Sequence, residues 1–215
     1  MSAVLQEAVS AALAPQGSEA WLQARCGRAT ASAFSAIRAK GEGKTRATYL
    51  RLILAERLLG KPIESKAHGA WQENLERGQE QEPYAKMAYA ARTDLFVEDV
   101  GFIAHPDLMA GCSPDGLIGE DGGLEAKSVI PTTQVETILA GGYPSRHRPQ
   151  VQGSLWITGR RWWDFASFSP DMPANLRLYV FRVERDEAYI HELEVQVRVF
   201  LREVDDLEKR LRGMA

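Results

Sequence analysis

The chain lacks the features that mark secreted, membrane-spanning or zinc-binding proteins. It has two cysteines, Cys26 and Cys112, in 215 residues, which excludes a disulfide scaffold and predicts a cytoplasmic protein. No apolar run approaches the roughly 20 residues that a membrane-spanning helix needs, and residues 1–15 lack the basic stretch that opens a signal peptide. His68, His147 and His191 follow no spacing typical of zinc ligands. We therefore expect no membrane partner and no zinc.

A large net charge is also absent, yet the charges are unevenly distributed. The formal net charge is −3, but 20–55 has one acid, Glu42, and 143–163 has none. The basic residues of these segments are Arg25, Arg28, Arg38, Lys40, Lys44, Arg46, Arg51, Arg146, Arg148, Arg160 and Arg161. This pattern predicts a basic lining on an otherwise acidic surface. Because phosphate contacts dominate the affinity of proteins for DNA, the loop 38–46 is the candidate segment for contacting a DNA duplex. The alternative is two ordinary solvated helix faces.

Segments with helix and strand periodicity succeed one another, which predicts an α/β fold with a central mixed β-sheet flanked by helices. Residues 1–215 suffice for a single domain, with 1–17 as an N-terminal tail or short helix. The segments expected to be helical are 48–59, 70–91, 132–140, 149–158 and the C-terminal region. Strands are expected at 163–168 and 176–184, and a three-stranded meander at 95–103, 108–118 and 123–129.

The most informative stretch places two acids and one amine around a short hairpin. Asp115 precedes a glycine-rich turn, and Glu125 and Lys127 follow it. Residues two apart on a strand point to the same face, so Glu125 and Lys127 should meet Asp115 there. Carboxylates of this kind bind Mg²⁺ or Mn²⁺, here helped by the Ala126 carbonyl, and the metal would activate a water. The alternative is a plain hairpin turn beside a solvated strand face.

Further polar residues could complete such a site. Glu80 and Glu82 lie two apart on a predicted helix, so at most one of them should point at a metal. Gln150 and Gln152 open the helix 149–158, where their amides could hold a water or a phosphate. Each of these residue types is also common on an ordinary helix surface.

Several short motifs, in the same order, resemble the phage lambda exonuclease (YqaJ-like viral recombinase) family. They are Ala24-Arg25-Cys26-Gly27-Arg28-Ala29-Thr30-Ala31-Ser32, Gly78-Gln79-Glu80-Gln81-Glu82, Cys112-Ser113-Pro114-Asp115-Gly116, Leu124-Glu125-Ala126-Lys127, Pro149-Gln150-Val151-Gln152, Leu155-Trp156-Ile157-Thr158 and Val183-Glu184-Arg185-Asp186-Glu187. The resemblance spans nearly the whole chain, and the combination is more specific than any one motif. It implies a restriction-endonuclease-like PD-(D/E)xK nuclease domain.

The resemblance also implies an activity and partners. Members degrade one strand of duplex DNA from a 5′ end, release mononucleotides, and leave a 3′ tail for a single-strand annealing protein. They form a ring-shaped homotrimer around the DNA. The alternatives are an endonuclease or Holliday-junction resolvase on the same fold, and a non-catalytic clamp that binds DNA ends.

Site roles follow from the motif matches. Glu82, Asp115, Glu125 and the Ala126 carbonyl match the metal ligands, Lys127 matches the catalytic lysine, and Gln150 matches a residue that positions water or substrate. The positions that match binding of the terminal 5′-phosphate are Arg25, Ser32 and Ser113, with Arg28 as the alternative to Arg25. Leu75 matches a wedge that separates the end base pair. One departure is His105, which stands where the lambda enzyme has an aspartate; either His105 replaces that acid or Asp107 reaches in.

Overall fold

A computed structural model describes residues 10–39, 44–63 and 70–214 of the chain, apart from the side chains of 70–76 and 79. Its helices, after a helical turn at 10–13, are α1 (Glu19–Arg25), α2 (Phe34–Ile37), α3 (Lys44–Leu59), α4 (Ala70–Thr93), α5 (Pro131–Ala140), α6 (Arg148–Thr158) and α7 (Glu187–Arg212). Its strands are β1 (Ala29–Thr30), β2 (Ile103–Ala104), β3 (Ala110–Cys112), β4 (Gly116–Ile118), β5 (Gly122–Ser128), β6 (Trp162–Phe168) and β7 (Leu178–Glu184).

The strands form two sheets. The larger is mixed and has the order β4-β5-β6-β7, in which β5 and β6 are parallel and the outer pairs are antiparallel. The smaller has the order β1-β3-β2, with β1 parallel to β3. The prediction of an α/β fold with a mixed sheet flanked by helices is confirmed.

The predicted three-stranded meander is wrong. The segment 108–118 is divided between β3, in the small sheet, and β4, in the large sheet. The segment 95–103 contributes only an isolated bridge from Glu98 to Leu117 and the first residue of β2. Pro114 lies at the break and has no N–H to donate to a neighbouring strand. Hydrophobic periodicity continues across the break, so it gave no sign that the chain changes sheets there.

The glycines of the β4–β5 hairpin have two different roles. Gly119 has φ 51°, the left-handed backbone that a tight turn requires. Gly122 and Gly123 lie inside β5, where an added Cβ would come within 2.1 Å of the Trp162 ring and 2.3 Å of the Trp163 ring. They therefore make room for the two tryptophans, and Trp163 is fully buried.

Helices on opposite faces of the large sheet determine which strand residues reach the site. Ala85 and Tyr89 of α4 pack against Leu124 and Ala126 of β5. Val151 and Leu155 of α6 pack with Phe165, whose register partner on β5 is Glu125. Because side chains alternate along a strand, Glu125 and Lys127 project toward the α6 side. Within the described ranges, no helix is long and apolar enough to cross a bilayer.

Candidate active site

Glu125 and Lys127 form an ion pair on β5, the strand predicted to hold both. The Glu125 side chain is completely buried, whereas that of Lys127 is 31% exposed, and Lys127 Nζ contacts Glu125 Oε1. Burial alone would lower the pKa of Lys127, but Glu125 and Asp115 outweigh it and raise the pKa above its usual value. Lys127 is therefore an ammonium with one exposed side.

Asp115 completes the group from the end of β4. The pairing of Gly116 with Leu124 places Asp115 across from Glu125, and Asp115 Oδ2 accepts a hydrogen bond of 2.7 Å from the Ala126 N–H. Burial, followed by the nearby negative charge of Glu125, raises the pKa of Asp115 well above its usual value. Two carboxylates share this space, and Lys127 offsets them only in part.

Gln150 reaches the same carboxylate from α6. Its Nε2 donates to Glu125 Oε1 at 2.5 Å. The other oxygen, Glu125 Oε2, is buried and has no hydrogen-bond partner. An unpaired buried carboxylate oxygen is costly, so Glu125 lacks a positive or hydrogen-donating neighbour on that side. We call Asp115, Glu125, Lys127 and Gln150 the carboxylate cluster.

Glu82 approaches from α4, on the opposite face of the sheet. Its carboxylate lies 2.9 Å from Lys86 Nζ, which also contacts Asp99 at 2.9 Å. Glu82 is close enough to help raise the pKa of Asp115. Glu80, two residues earlier, is exposed, as expected for neighbours that cannot share a helix face. Leu75 lies on α4, but its side chain is outside the described residues.

The carboxylate cluster fits a hard divalent cation with an incomplete protein shell. In the described part of the chain, no three His, Cys, Asp or Glu side chains form a metal-binding group. Mg²⁺, however, commonly uses one or two carboxylates and keeps waters and substrate phosphates as its other ligands. Glu125 Oε2 has no hydrogen-bond partner, and Asp115 lies buried beside the negative charge of Glu125. Both carboxylates are therefore suited to binding such a cation. Since the N–H and C=O of a strand residue point to the same edge, the Ala126 carbonyl faces the Asp115 side as well.

A second polar group, the arginine cluster, consists of Arg25, Ser113 and Trp21. Ser113 Oγ accepts hydrogen bonds from Arg25 Nη1 at 2.9 Å and from Trp21 Nε1 at 3.0 Å. The Arg25 guanidinium lies 4.3 Å from the centre of the Trp21 ring. Burial lowers the pKa of Arg25, but a guanidinium remains charged in proteins. The described side chains that contact the guanidinium directly, Ser113 and Trp21, are neutral, and Glu56 acts on its charge without a hydrogen bond or ion pair to it. Such an arrangement suits an anion such as a phosphate.

Ser32 and Arg28 flank β1, with Arg28 before the strand and Ser32 after it. Because β1 and β3 are parallel with Thr30 opposite Gly111, the residues that follow each strand, Ser32 and Ser113, leave the sheet at one edge. Ser32 is exposed, and its Oγ lies 3.3 Å from Thr30 Oγ1. Arg28 is half-buried. Arg25 is thus the arginine that contacts Ser113, and Arg28 keeps its place as the alternative.

Parts of the predicted basic lining are neutralised within the chain. Arg46 pairs with Glu203 at 2.7 Å, and Arg148 pairs with Asp186 at 2.6 Å. Arg160 donates to the backbone carbonyls of Gly119 and Gly122, which fastens the β4–β5 hairpin. The central residues of the loop 38–46, Lys40 to Gly43, lie outside the described residues. The described basic segments therefore combine structural ion pairs with the arginine cluster.

Sequence and fold comparisons agree with this geometry. A family model of the YqaJ-like viral recombinase domain matches residues 20–161. The chain belongs to the YqaJ-like viral recombinase family. The resemblance inferred from its motifs is confirmed.

Solved structures extend the match beyond this domain of the YqaJ-like family. The chain is 34% identical to an alkaline exonuclease (LHK-Exo) from Laribacter hongkongensis, with a TM-score of 0.83 over 92% of this chain and 97% of that one. The complex of that enzyme with dAMP gives a TM-score of 0.84. A phage-related exonuclease from Haemophilus somnus 129PT shares the fold, with 13% identity and a TM-score of 0.64 over 86% of this chain and 96% of that one.

A shorter match is to an uncharacterised protein, ExoD, of Escherichia coli strain K12. The two are 34% identical over 62 residues, which is 29% of this chain and 70% of ExoD.

The position where this member of the YqaJ-like family departs from the lambda enzyme lies apart from the carboxylate cluster. The His105 ring packs 5.2 Å from the Trp156 ring, and its Nδ1 accepts from the Asp107 N–H at 3.1 Å. Burial lowers the pKa of His105, and the other charges that act on it come from Asp107, Arg198 and Glu194. None of these contacts brings His105 or Asp107 to Asp115.

Reasoning from the sequence did not identify Trp21 as a member of the arginine cluster in this YqaJ-like domain. Trp21 precedes Arg25 by four residues on α1, so both lie on one helix face. An aromatic residue four positions before an arginine is a signal for a stacked pair, and the Ser18 N-cap confirms where that helix begins. What the sequence does not contain is the contact of both side chains with Ser113, because that contact depends on the fold.

Proposed function

We propose that this chain is a Mg²⁺-dependent exodeoxyribonuclease, with Mn²⁺ as a substitute, that degrades one strand of double-stranded DNA in the 5′→3′ direction. It releases 5′-mononucleotides and leaves a 3′ overhang for phage-type recombination by single-strand annealing. The observation that carries the proposal is the adjacency of an under-neutralised carboxylate pair, Asp115 and Glu125, to the Arg25–Ser113 contact. Similarity to an alkaline exonuclease, at 34% identity, supports it.

Asp115, Glu125 and the Ala126 carbonyl would hold the metal, with Glu82 as a further ligand from α4. A bound divalent cation would activate a water and neutralise charge on the scissile phosphate. Using Glu82 would require its carboxylate to be shared with, or released from, Lys86, which it contacts at 2.9 Å. Gln150, which donates to Glu125 Oε1, fixes the direction in which the free oxygen of that carboxylate points.

Lys127 acts as a fixed positive charge in this proposal. In the metal-free protein, the negative charges of Glu125 and Asp115 raise the pKa of the amine, which favours the ammonium form. An ammonium can orient the attacking water and stabilise negative charge that develops on the phosphate. Its partial exposure leaves one side of Nζ open to the substrate.

The arginine cluster provides the end specificity. A terminal 5′-phosphate carries more negative charge than an internal one, and a planar guanidinium with a hydroxyl suits it. Ser113 and Asp115 are separated by Pro114 alone, which limits their Cα atoms to about 7 Å. Arg25, Ser113 and Ser32 would therefore hold the 5′ end next to the bond that the carboxylate cluster cleaves.

The remaining assignments rest on family resemblance. They are a ring-shaped homotrimer around the DNA, a single-strand annealing protein as partner, and Leu75 as the wedge that opens the end base pair. The expected location is the cytoplasm.

The deciding experiment uses linear duplex DNA labelled at its 5′ or 3′ ends, with either a 5′-phosphate or a 5′-hydroxyl, and a closed circular duplex. We expect Mg²⁺-dependent release of the 5′ label as mononucleotide, retention of the 3′ label on long product, and intact circles. Phosphorylated ends should be degraded faster than hydroxyl ends.

Other outcomes would contradict the proposal. Cleavage of circles would favour an endonuclease or a Holliday-junction resolvase. Binding of ends without mononucleotide release in Mg²⁺ would favour the clamp. Equal degradation in EDTA would remove the metal from the mechanism.

A further inference from the structure

The residues before α1 are packed against the body of the protein. The Gly101 N–H donates to the Ala12 carbonyl at 2.7 Å, and the Phe102 N–H donates to the Ala11 carbonyl at 3.0 Å. A Cβ on Gly101 would lie 2.3 Å from the Ala14 carbonyl oxygen, so the backbones approach as closely as glycine allows. Ala14 is buried. The segment 10–17 therefore packs in a defined position against the segment that precedes β2.

This packing brings the side-chain amide of Gln16 into contact with the turn that precedes Asp115. Gln16 Nε2 lies 2.7 Å from the Pro114 carbonyl oxygen and 3.2 Å from the Val100 carbonyl oxygen. An amide NH₂ has two hydrogens, so one group can donate to both carbonyls. The Pro114 carbonyl belongs to the peptide bond that joins Pro114 to Asp115. Gln16 thus fixes the plane of the peptide from which the Asp115 side chain extends.

The opposite side of Asp115 is fixed by β5. Its carboxylate accepts from the Ala126 N–H at 2.7 Å. That hydrogen bond holds the carboxylate, but the position of the Asp115 Cα depends on the peptide that precedes it. The hydrogen bond from Gln16 is a restraint that the neighbouring strands do not supply, because the chain is changing sheets at Pro114.

We propose that Gln16 is a positioning residue that orients the Pro114–Asp115 peptide. The segment 10–17 would then contribute to the geometry of the metal site. The proposal rests on the proposed function, since it takes Asp115 as a metal ligand. Gln16 acts through Asp115 and does not itself contact the substrate. A purely structural role, anchoring the N-terminal segment, is the alternative that the test must separate.

The test measures Mn²⁺ binding to the full chain without DNA, by calorimetry, for Gln16→Met. Methionine has a similar length but cannot donate a hydrogen bond. The matched control is Gln23→Met, because the Gln23 amide also donates to a backbone carbonyl, that of Gly60 at 3.3 Å, but outside both clusters. Asp115→Asn is the reference for loss of the metal site. Thermal midpoints and steady-state kinetics on 5′-phosphorylated duplex accompany each titration.

We expect Gln16→Met to weaken Mn²⁺ binding about tenfold, the size of one net hydrogen bond. Its kcat at limiting Mg²⁺ should fall by a similar factor, while KM for the duplex and the thermal midpoint stay near those of Gln23→Met. Unchanged Mn²⁺ affinity in Gln16→Met, or a loss matched by Gln23→Met, would overturn the proposal. A loss of affinity that accompanies a much lower midpoint than that of the control would also overturn it, because it would indicate a structural role.

The reference variant separates this proposal from the proposed function. If Asp115→Asn loses Mn²⁺ binding and Gln16→Met does not, only the role of Gln16 fails. If Asp115→Asn binds Mn²⁺ as tightly as the wild type, Asp115 is not a ligand, and both the metal site and the role of Gln16 are refuted.

Discussion

The carboxylate cluster and the arginine cluster lie on different sheets, and their charges are balanced in opposite ways. Asp115 and Glu125 lie on paired positions of the β4–β5 hairpin, one lysine contacts Glu125, and one Glu125 oxygen has no partner. Arg25 contacts a hydroxyl and an indole ring, neither of which carries a charge, and the acid that acts on it, Glu56, forms no ion pair with it among the described contacts. The first cluster has excess negative charge and the second has excess positive charge.

Under the proposed function, a different kind of ligand completes each cluster. A cation relieves the repulsion between the carboxylates, whereas an anion uses the guanidinium without displacing an internal partner. The Ser113–Pro114–Asp115 turn joins the two clusters, so a ligand that carries both a phosphate and a bound metal can occupy both. A DNA 5′ end near a divalent cation has that chemistry.

The largest effect is expected from Lys127→Ala, which removes the positive charge from the carboxylate cluster. Turnover should fall by about 10²–10⁴, the range found when a group acting directly on the transition state is removed. Binding of duplex ends, measured by fluorescence anisotropy in Ca²⁺, should remain close to that of the wild type because Arg25 is untouched. Lys61→Ala, in the loop after α3, removes the same charge outside the cluster. Unchanged turnover in Lys127→Ala would contradict the mechanism.

A smaller effect is expected from Arg25→Met, which removes the charge of the arginine cluster. Hydrogen bonds to charged groups contribute about 1.5–3 kcal/mol, so the preference for 5′-phosphate over 5′-hydroxyl ends should decrease by about 10–100-fold. The ratio of kcat/KM for the two substrates measures it. Arg161→Met is the control, since Arg161 is 75% exposed and makes only a long 3.7 Å pair with Asp121. An undiminished preference would assign the phosphate to another residue, Arg28 being the first candidate.

The shift of the thermal midpoint caused by each ligand can test the two clusters independently. At a concentration 100 times its Kd, a ligand of the folded state adds about 2.7 kcal/mol, which raises the midpoint by about 5–10 °C for a chain of this size. Mg²⁺ should stabilise the wild type and Arg25→Met but not Glu125→Gln. Inorganic phosphate, tested in EDTA, should stabilise the wild type and Glu125→Gln but not Arg25→Met.

The opposite pattern, or loss of both responses in either variant, would show that the clusters are not independent. A chelator should lower the midpoint of the wild-type protein only after Mg²⁺ has been added.

Local spacing accounts for the part of the site that the sequence predicted. Glu125 and Lys127 lie two apart on one strand, and the hairpin brings Asp115 opposite Glu125, so alternation and turn chemistry suffice to group them. The grouping of the remaining site residues was available only through family resemblance. Their metal-binding and phosphate-binding roles stay predictions.

Contacts that cross between elements were not predictable. Ser113 meets Trp21 and Arg25 because β1 and β3 are parallel in a small sheet, and hydrophobic periodicity does not specify strand order. For the same reason the segment 108–118 was assigned to one strand although it serves two sheets. Gln16 contacts Pro114 across 98 positions of sequence. No local pattern encodes such a separation.

The last test concerns the burial of His147 beside the carboxylate cluster. The His147 ring packs 5.3 Å from the Phe165 ring, on the strand position opposite Glu125. Burial, then the positive charges of Lys127 and Arg146, lower the pKa of His147 from 6.5 to about 3. The unfolded chain therefore binds a proton below pH 6.5 that the folded protein does not bind, and folding stability should fall as the pH decreases from 6.5 toward about 3.

His147→Gln removes this contribution, so its free energy of unfolding should depend less on pH in that window. The difference in slope is at most about 1.4 kcal/mol per pH unit, the value for one proton. Urea unfolding of both proteins at a series of pH values, in EDTA, measures it. His191→Gln, on the exposed surface of α7, is the matched control for replacing a histidine by glutamine. Equal slopes for His147→Gln and the wild type would mean that Lys127 and the surrounding core do not keep this imidazole neutral, and that the side of the cluster next to His147 is more open to water than the packing on Phe165 implies.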